Sequence, residues 1–370
     1  MTKFYLDINE SRRRHVDIPG LDGVRAISIL IVMVSHSGLE NQVPGVLGVT
    51  IFFFLSGFLI TTLLHNEYRE TGGIDIKKFY TRRFLRLYPP LAVYIVAVIV
   101  TLIFLKKDID GIGLLGALFY FANYLFALAP YHIVSFGVHL WSLSVEEHFY
   151  IFFPLLMLLL VRRRVQIVPV LTLLCFIPLF ARIAIVLLTD PSHFVTYTTV
   201  ATECRFDSIL FGCLTAMATR QAWAPRFILV ATHPATVVIA FALMLLTLVD
   251  RNTIFRQTLR FTIQNFALIS LLLTAVYTSR FIFAKRLLNS VVSRWIGVLS
   301  YSLYLWHFAT FASARYLLGP VSPAIIYLTG WVASFIVALA VHFFVERPIF
   351  EARRRFGSHA HESVIGVAHR

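Results

Sequence analysis

The chain has 370 residues, of which 58% are hydrophobic and only 14% charged, with a formal net charge of +14. A soluble domain carries roughly a quarter of its residues as charges, so these values exclude an ordinary soluble fold. Apolar runs of about 20 residues recur from Leu21 to Val345 and mark a polytopic helical membrane protein.

The helical reading is preferred because lipid requires every backbone group to be satisfied within the protein. A membrane barrel would alternate, and the run from Pro154 to Val161 (PLLMLLLV) does not. The basic excess lies in short loops between apolar runs, as orientation in a membrane requires. Membrane lipid is therefore the expected surroundings, and no nucleic-acid partner is expected. Cys175, Cys204 and Cys213 show no disulfide framework and no paired metal-ligand spacing.

In chain order the fold class is all-α, a polytopic transmembrane helical bundle. Ten full spans are predicted, over about 21–39, 45–65, 87–105, 139–161, 166–188, 198–219, 227–249, 261–279, 295–318 and 325–345. Residues 1–20 form a cytoplasmic N-terminal segment, 21–350 the membrane domain and 351–370 a cytoplasmic tail. The N-terminus is polar and basic and has no cleavable signal pattern, so the first span is expected to remain. Basic clusters at Arg12 to Arg14, at Lys77 to Arg86, at Arg162 to Arg164 and at Arg353 to Arg355 place both termini inside. That parity requires Gly113 to Pro130 to be re-entrant or interfacial.

The first span, LDGVRAISILIVMVSHSG, carries Asp22, Arg25 and His36. Arg25 and His36 are 11 residues apart. At about 100° and about 1.5 Å per residue they share one face, about 16 Å apart along the axis. Ionisable groups on such a helix face the bundle interior or a wet cavity. The alternative is a stripe of helix–helix hydrogen bonds. In GVTIFFFLSGFLI, the small residues Gly48, Ser56 and Gly57 are read as packing positions. In RRFLRLYPP, Arg83 and Arg86 lie on one face and suit phosphate binding, or else serve orientation alone. In WSLSVEEHFYIFFP, Glu146 and Glu147 enter an apolar helix behind Trp141 with no basic neighbour in sequence. A buried carboxylate there could orient or deprotonate a group on a partner helix. Glu203, Arg205 and Asp207 stand together at the start of a later span, and Tyr301, Trp306 and His307 lie in the ninth. A lone histidine beside a tryptophan is more often packed and hydrogen-bonded than catalytic.

There is no GxSxG nucleophile elbow. No HExxH spacing occurs either, and no metal is expected, although His36, His139 and His148 leave ligation open. The simplest chemistry is a histidine general base, held by a carboxylate, that activates a hydroxyl against an activated acyl group. An inner cationic face fits an anionic donor such as a coenzyme A thioester. A transporter or lipid flippase would use the same intramembrane charges as a permeation path. Against that stand the lack of a strong two-fold hydropathy repeat and the single histidine–arginine face.

Taken in order, Arg25-x10-His36, GVTIFFFLSGFLI, RRFLRLYPP, WSLSVEEHFY, RFDSILFG and LSYSLYLWHF resemble the acyltransferase-3 family of membrane-bound O-acyltransferases. The resemblance runs from about residue 20 to residue 350. It implies a bacterial inner-membrane enzyme that moves an acyl group, usually acetyl, from cytoplasmic acyl-CoA to a hydroxyl of a carbohydrate or glycolipid acceptor. Acyl-CoA is a co-substrate, and no permanently bound cofactor is implied. His36 is the implied catalytic histidine, and Glu146 falls on the first Glu of the family's Trp-to-Glu motif; Glu146 or Asp207 is expected to orient His36. Arg25, Arg83, Arg86, Trp141, Arg205, Asp207, Tyr301 and His307 are expected around acyl-CoA and the acceptor. The chain departs from the family at His148, where Gln is common, and at Thr50, where Asp is common. Some relatives carry an extra extracytoplasmic domain. Without one, the enzyme transfers directly or hands the acyl group to a separate extracytoplasmic transferase.

Overall fold

The computed structural model describes residues 18–39, 42–132, 136–278 and 280–354. Most of the two expected terminal segments, including Arg12 to Arg14 and Arg355, lies outside the described residues. Every regular element among the described residues is helical.

The chain opens with α1 (Leu21–Ser35), α2 (Gly45–Thr71) and α3 (Ile76–Phe104). The short helices α4 (Gly111–Leu118) and α5 (Ala122–Leu128) follow, then 3₁₀ turns at Pro130–His132 and Val138–Leu140. Next come α6 (Trp141–Arg162), α7 (Ile167–Leu188), α8 (Pro191–Val200), α9 (Thr202–Arg205) and α10 (Asp207–Ala218). The remainder is α11 (Ala224–Ala231), α12 (Pro234–Val249), α13 (Thr253–Gln257), α14 (Leu259–Tyr277), α15 (Ile282–Leu288), α16 (Val291–Leu318) and α17 (Pro323–Val341). A π-turn at His342–Glu346 leads into α18 (Arg347–Arg354).

Among the described residues, six segments are long and apolar enough to cross a membrane: α2, α3, α6 with its preceding turn, α7, α14 and α17 continued to Phe350. A seventh is the pair α11 and α12, bent by 62°. That bend interrupts the span expected over 227–249. It falls at His233-Pro234, where proline lacks the N–H that a continuous helix requires. The span expected over 198–219 is also interrupted. Ala201 turns extended between α8 and α9, and α10 is only 12 residues long. α1 has 15 residues and is about 22 Å long, short of a hydrocarbon core of about 30 Å. The stretch from Gly113 to Pro130 forms two short helices broken at Tyr120, whose φ is 61°.

α3 starts 11 residues before the span expected at 87, because Asp75 caps it by accepting a 2.9 Å bond from the Lys78 amide. Arg82, Arg83 and Arg86 therefore ride on the spanning helix itself.

α1 packs between α2 and α16, α16 packs on α17, and α10 wedges among α2, α7 and α14. The α2–α10 contact is backbone to backbone. A Cβ added at Gly57 would overlap the Ile209 carbonyl oxygen, and one at Gly212 would overlap that of Phe54. Phe53, Phe54, Phe58, Tyr150, Phe153 and Phe211 fill the interior. Val96, Val100, Phe104, Leu173, Phe180 and Leu187 face outward. Such outward apolar faces suit lipid and not water.

Candidate functional site: a buried imidazole cluster above an arginine–glutamate cluster

α1 stops at Ser35 and His36 caps it. The half-buried ring of His36 lies against α16, where Nδ1 is 2.9 Å from Nε2 of His307 and the rings stack 5.1 Å apart. The proton positions follow from the partners. His307 Nδ1 faces two carbonyl oxygens, of Leu303 at 3.1 Å and Tyr304 at 2.8 Å. Carbonyls only accept, so in the neutral ring Nδ1 carries the hydrogen and Nε2 accepts. His36 must then donate from Nδ1, which leaves its basic lone pair on Nε2.

A third histidine joins them. His139 lies in the turn before α6, its ring 5.2 Å from that of His307 and 5.4 Å from Tyr304. Tyr304 donates to the His139 carbonyl at 2.8 Å, and its hydroxyl is 2.5 Å from that of Ser142.

The second cluster is on α2, α3 and α6. Arg83 lies over the Tyr150 ring at 3.3 Å, with Nε 3.7 Å from Glu147 Oε1. Tyr150 is in turn hydrogen-bonded to Ser56. Glu146 takes a hydrogen bond from Ser56 and lies within electrostatic reach of Arg83, Arg86 and Arg25. Arg25 also pairs with Asp22 at 3.9 Å. Tyr301 donates to the Leu87 carbonyl at 2.7 Å and ties α16 to α3 at this level.

A third cluster surrounds α9. Arg182 and Asp207 form a fully buried ion pair at 2.8 Å. Arg182 also donates to the carbonyls of Thr258 (3.0 Å) and Cys204 (2.5 Å) and to Thr262 Oγ1 (2.9 Å). Arg205 stacks on Phe261 at 3.7 Å, lies within 6 Å of Phe53 and Trp141, and donates to Thr50 Oγ1 at 3.0 Å. Both departures from the family pattern thus have partners, since His148 Nδ1 is 2.7 Å from Thr202 Oγ1.

The structure therefore brings His36 together with His307, and Arg25, Arg83 and Arg86 around Glu146. The carboxylates expected to orient His36 have partners of their own. Glu146 stands among the arginines, and Asp207 is held by Arg182 and by the Ser208 amide at 2.8 Å. Motif reading passed over Tyr304 and weighed His139 only as a possible metal ligand. Their signal was weak: Tyr304 stands three residues before His307, and His139 two before Trp141. Among the described residues no group of three or more His, Cys, Asp or Glu side chains is arranged to hold a metal ion.

Lipid-facing helices around buried imidazole and guanidinium clusters define a multi-pass membrane protein with a polar interior. The chain belongs to the acyltransferase-3 family, described as "Acyltransferase domain", which matches residues 18–347. It is 32% identical over 365 residues to the O-acetyltransferase OatA of Staphylococcus aureus strain NCTC 8325 / PS 47, and equally to OatA of strain COL. It is 30% identical over 355 residues to another protein of strain COL, provisionally named an O-acetyltransferase. Each match takes in 90% of this chain and 57% of the relative, so the chain spans somewhat over half the length of these relatives. No solved structure matches the chain.

Proposed function

We propose that the protein is an integral membrane O-acetyltransferase of the bacterial inner membrane. It moves an acetyl group from cytoplasmic acetyl-CoA to a hydroxyl of a carbohydrate acceptor. The observation that carries this is the His36–His307 hydrogen bond at 2.9 Å, which, with both rings neutral and His307 Nδ1 donating to carbonyls, assigns the lone pair of His36 to Nε2. Base catalysis on a hydroxyl needs that atom.

Ten spans with both termini cytoplasmic remain the topology that the basic loops favour, with α1, the broken α8–α10 and the polar α16 counted as crossings. In that frame Arg25, Arg83 and Arg86 face the cytoplasmic end. They bind the anionic head of acyl-CoA, with Glu146 and Glu147 as their counter-charges. The pantetheine arm then reaches along α1 toward His36, about 16 Å from Arg25 by helix rise. The acceptor hydroxyl gives its proton to His36 Nε2 as its oxygen attacks the thioester carbon. The carbon–sulfur bond breaks, and the thiolate takes the proton. Positive charge arriving on His36 is met by the carbonyl end of α1 and by a strengthened bond to His307. His307, Tyr301 and Asp207 hold the fold around the substrates, and Trp141 and Arg205 wall the interior beside the imidazoles.

The test uses purified protein in nanodiscs, acetyl-labelled acetyl-CoA and a panel of glycan acceptors. Transfer that is lost in His36→Ala supports the proposal. Transfer by His36→Ala at the wild-type rate overturns it.

A further inference from the structure

Between Asp250 and Glu346 the chain holds no Asp or Glu. The approach to α15, α15 itself and the first turn of α16 place Arg280, Lys285, Arg286 and Arg294 in that stretch. Other cations at this end of the bundle have carboxylates: Arg25 meets Asp22, Lys78 meets Asp75, Arg82 meets Glu67 and Arg83 meets Glu147. Among the described residues no carboxylate pairs with Arg280, Lys285, Arg286 or Arg294. Arg280 and Arg286 are exposed, and Lys285 and Arg294 are partly so.

The same segment is apolar where it is most open. Phe283 is 84% exposed and Leu287 64%, and Val291 and Val292 are exposed at the start of α16. At about 100° per residue Phe283 and Leu287 lie within about 40° of each other, with Arg286 about 60° to the other side of Phe283. Leu288, about 140° from Phe283, is the residue that turns inward. Cations alone would suit any phosphate. A phenyl ring and three aliphatic side chains left open beside them suit a phosphate that comes with an apolar boundary. That is the surface of a bilayer with anionic phospholipid, where Lys and Arg meet the headgroups and Phe and Leu enter the acyl boundary.

The inward side of this segment is locked to α1. The Asn289 side-chain oxygen accepts from the Gly20 amide at 2.9 Å, and a Cβ added at Gly23 would overlap the Leu288 backbone. A Cβ at Gly297 would likewise overlap the Asp22 carbonyl. Whatever seats α15 therefore also holds the end of α1 that carries Asp22 and Arg25. We propose that α15 and the first turn of α16 form a docking surface for the headgroups of anionic phospholipids, and that lipid seated there steadies the start of α1. The inference rests on the topology proposed above only in making the leaflet concerned the cytoplasmic one.

The test is native mass spectrometry of the full-length protein released from nanodiscs of phosphatidylcholine and phosphatidylglycerol, with no acetyl-CoA present. The wild type is expected to retain phosphatidylglycerol in preference to phosphatidylcholine. The double variant Lys285→Gln, Arg286→Gln should weaken that retention roughly fivefold for each charge removed. The double variant Arg162→Gln, Arg163→Gln removes the same charge from the exposed end of α6 and should leave retention nearly unchanged. Equal losses in the two would reduce the effect to overall charge and overturn the proposal. Retention that survives Phe283→Ser with Leu287→Ser also overturns it, because a site for a free phosphate needs no apolar contact. Hydrogen exchange at the Gly20 amide should slow when phosphatidylglycerol is added to wild-type nanodiscs, and not in the Lys285→Gln, Arg286→Gln protein. An equal Gly20 rate in both lipids overturns the link to α1. None of these measurements involves acyl transfer, so failure of that reading is a separate result.

Discussion

Replacing His307 with Phe keeps an aromatic ring stacked on His36 but removes the acceptor of the 2.9 Å bond. In the resting site that bond joins two neutral rings, and such a bond contributes about 1 kcal/mol. Once His36 takes the acceptor proton the same bond is charge-assisted and contributes about 1.5–3 kcal/mol. The gain appears only as the proton moves, so about 0.5–2 kcal/mol of transition-state stabilisation is lost in the variant. At about 1.4 kcal/mol per factor of ten, kcat should fall roughly two- to thirty-fold. The KM for acetyl-CoA should hold, because the arginines proposed to receive it lie on α3 and α1. His307→Gln, which can offer a side-chain oxygen to His36, should lose less. The assay is thiol release from acetyl-CoA with acceptor present, run beside thermal unfolding in the same nanodiscs. His307 also donates to the Leu303 and Tyr304 carbonyls, so a drop in Tm is allowed. A fully folded His307→Phe protein with wild-type kcat, or one changed only in KM, would refute the relay.

Other outcomes follow from the neighbouring clusters. Asp207→Asn leaves the buried Arg182 charge unpaired and should destabilise the protein by about 3–5 kcal/mol, read as a lower Tm in detergent; an unchanged Tm counts against a structural role. Gly57→Ala drives a methyl into the Ile209 backbone and should cost about 1–3 kcal/mol. Gly73→Ala, with nothing within 4 Å, is its neutral control. Arg83→Lys gives up the planar stack on Tyr150 and should raise the KM for acetyl-CoA about tenfold, with kcat little changed in steady-state assays. The amide of Lys78 holds the Asp75 carboxyl below its ordinary value. The cap therefore stabilises α3 above the ordinary carboxylate range and is lost as pH falls through the lowered value. Hydrogen exchange at Lys78 should accelerate only there.

Much of the fold was legible because lipid imposes a long apolar run for each crossing helix. α2, α6, α7, α14 and α17 fall where hydropathy put them. The helix breaks were less legible, since Ala201 turns the chain without any glycine or proline at that position. The early start of α3 depended on a single capping carboxylate, which hydropathy ignores. In the site, helical spacing put Arg25 and His36 on one face and gave Arg83 and Arg86 a common side. It could not show which carboxylate met which base. Partner choice across helices depends on packing contacts such as Gly57 on Ile209, which set which face of α10 meets α2. The surroundings of His139 were hidden for the same reason: its Nε2 meets a carbonyl 166 residues away.

Arg205 has one more consequence. It is held by the face of Phe261, by nearby Phe53 and Trp141, and by the Thr50 hydroxyl, with no carboxylate bonded to it. Ring quadrupoles and hydroxyls do not titrate near neutral pH, and mobile ions screen a buried contact weakly. This joint between α2, α9 and α14 therefore keeps its geometry when acidity or salt changes outside the membrane.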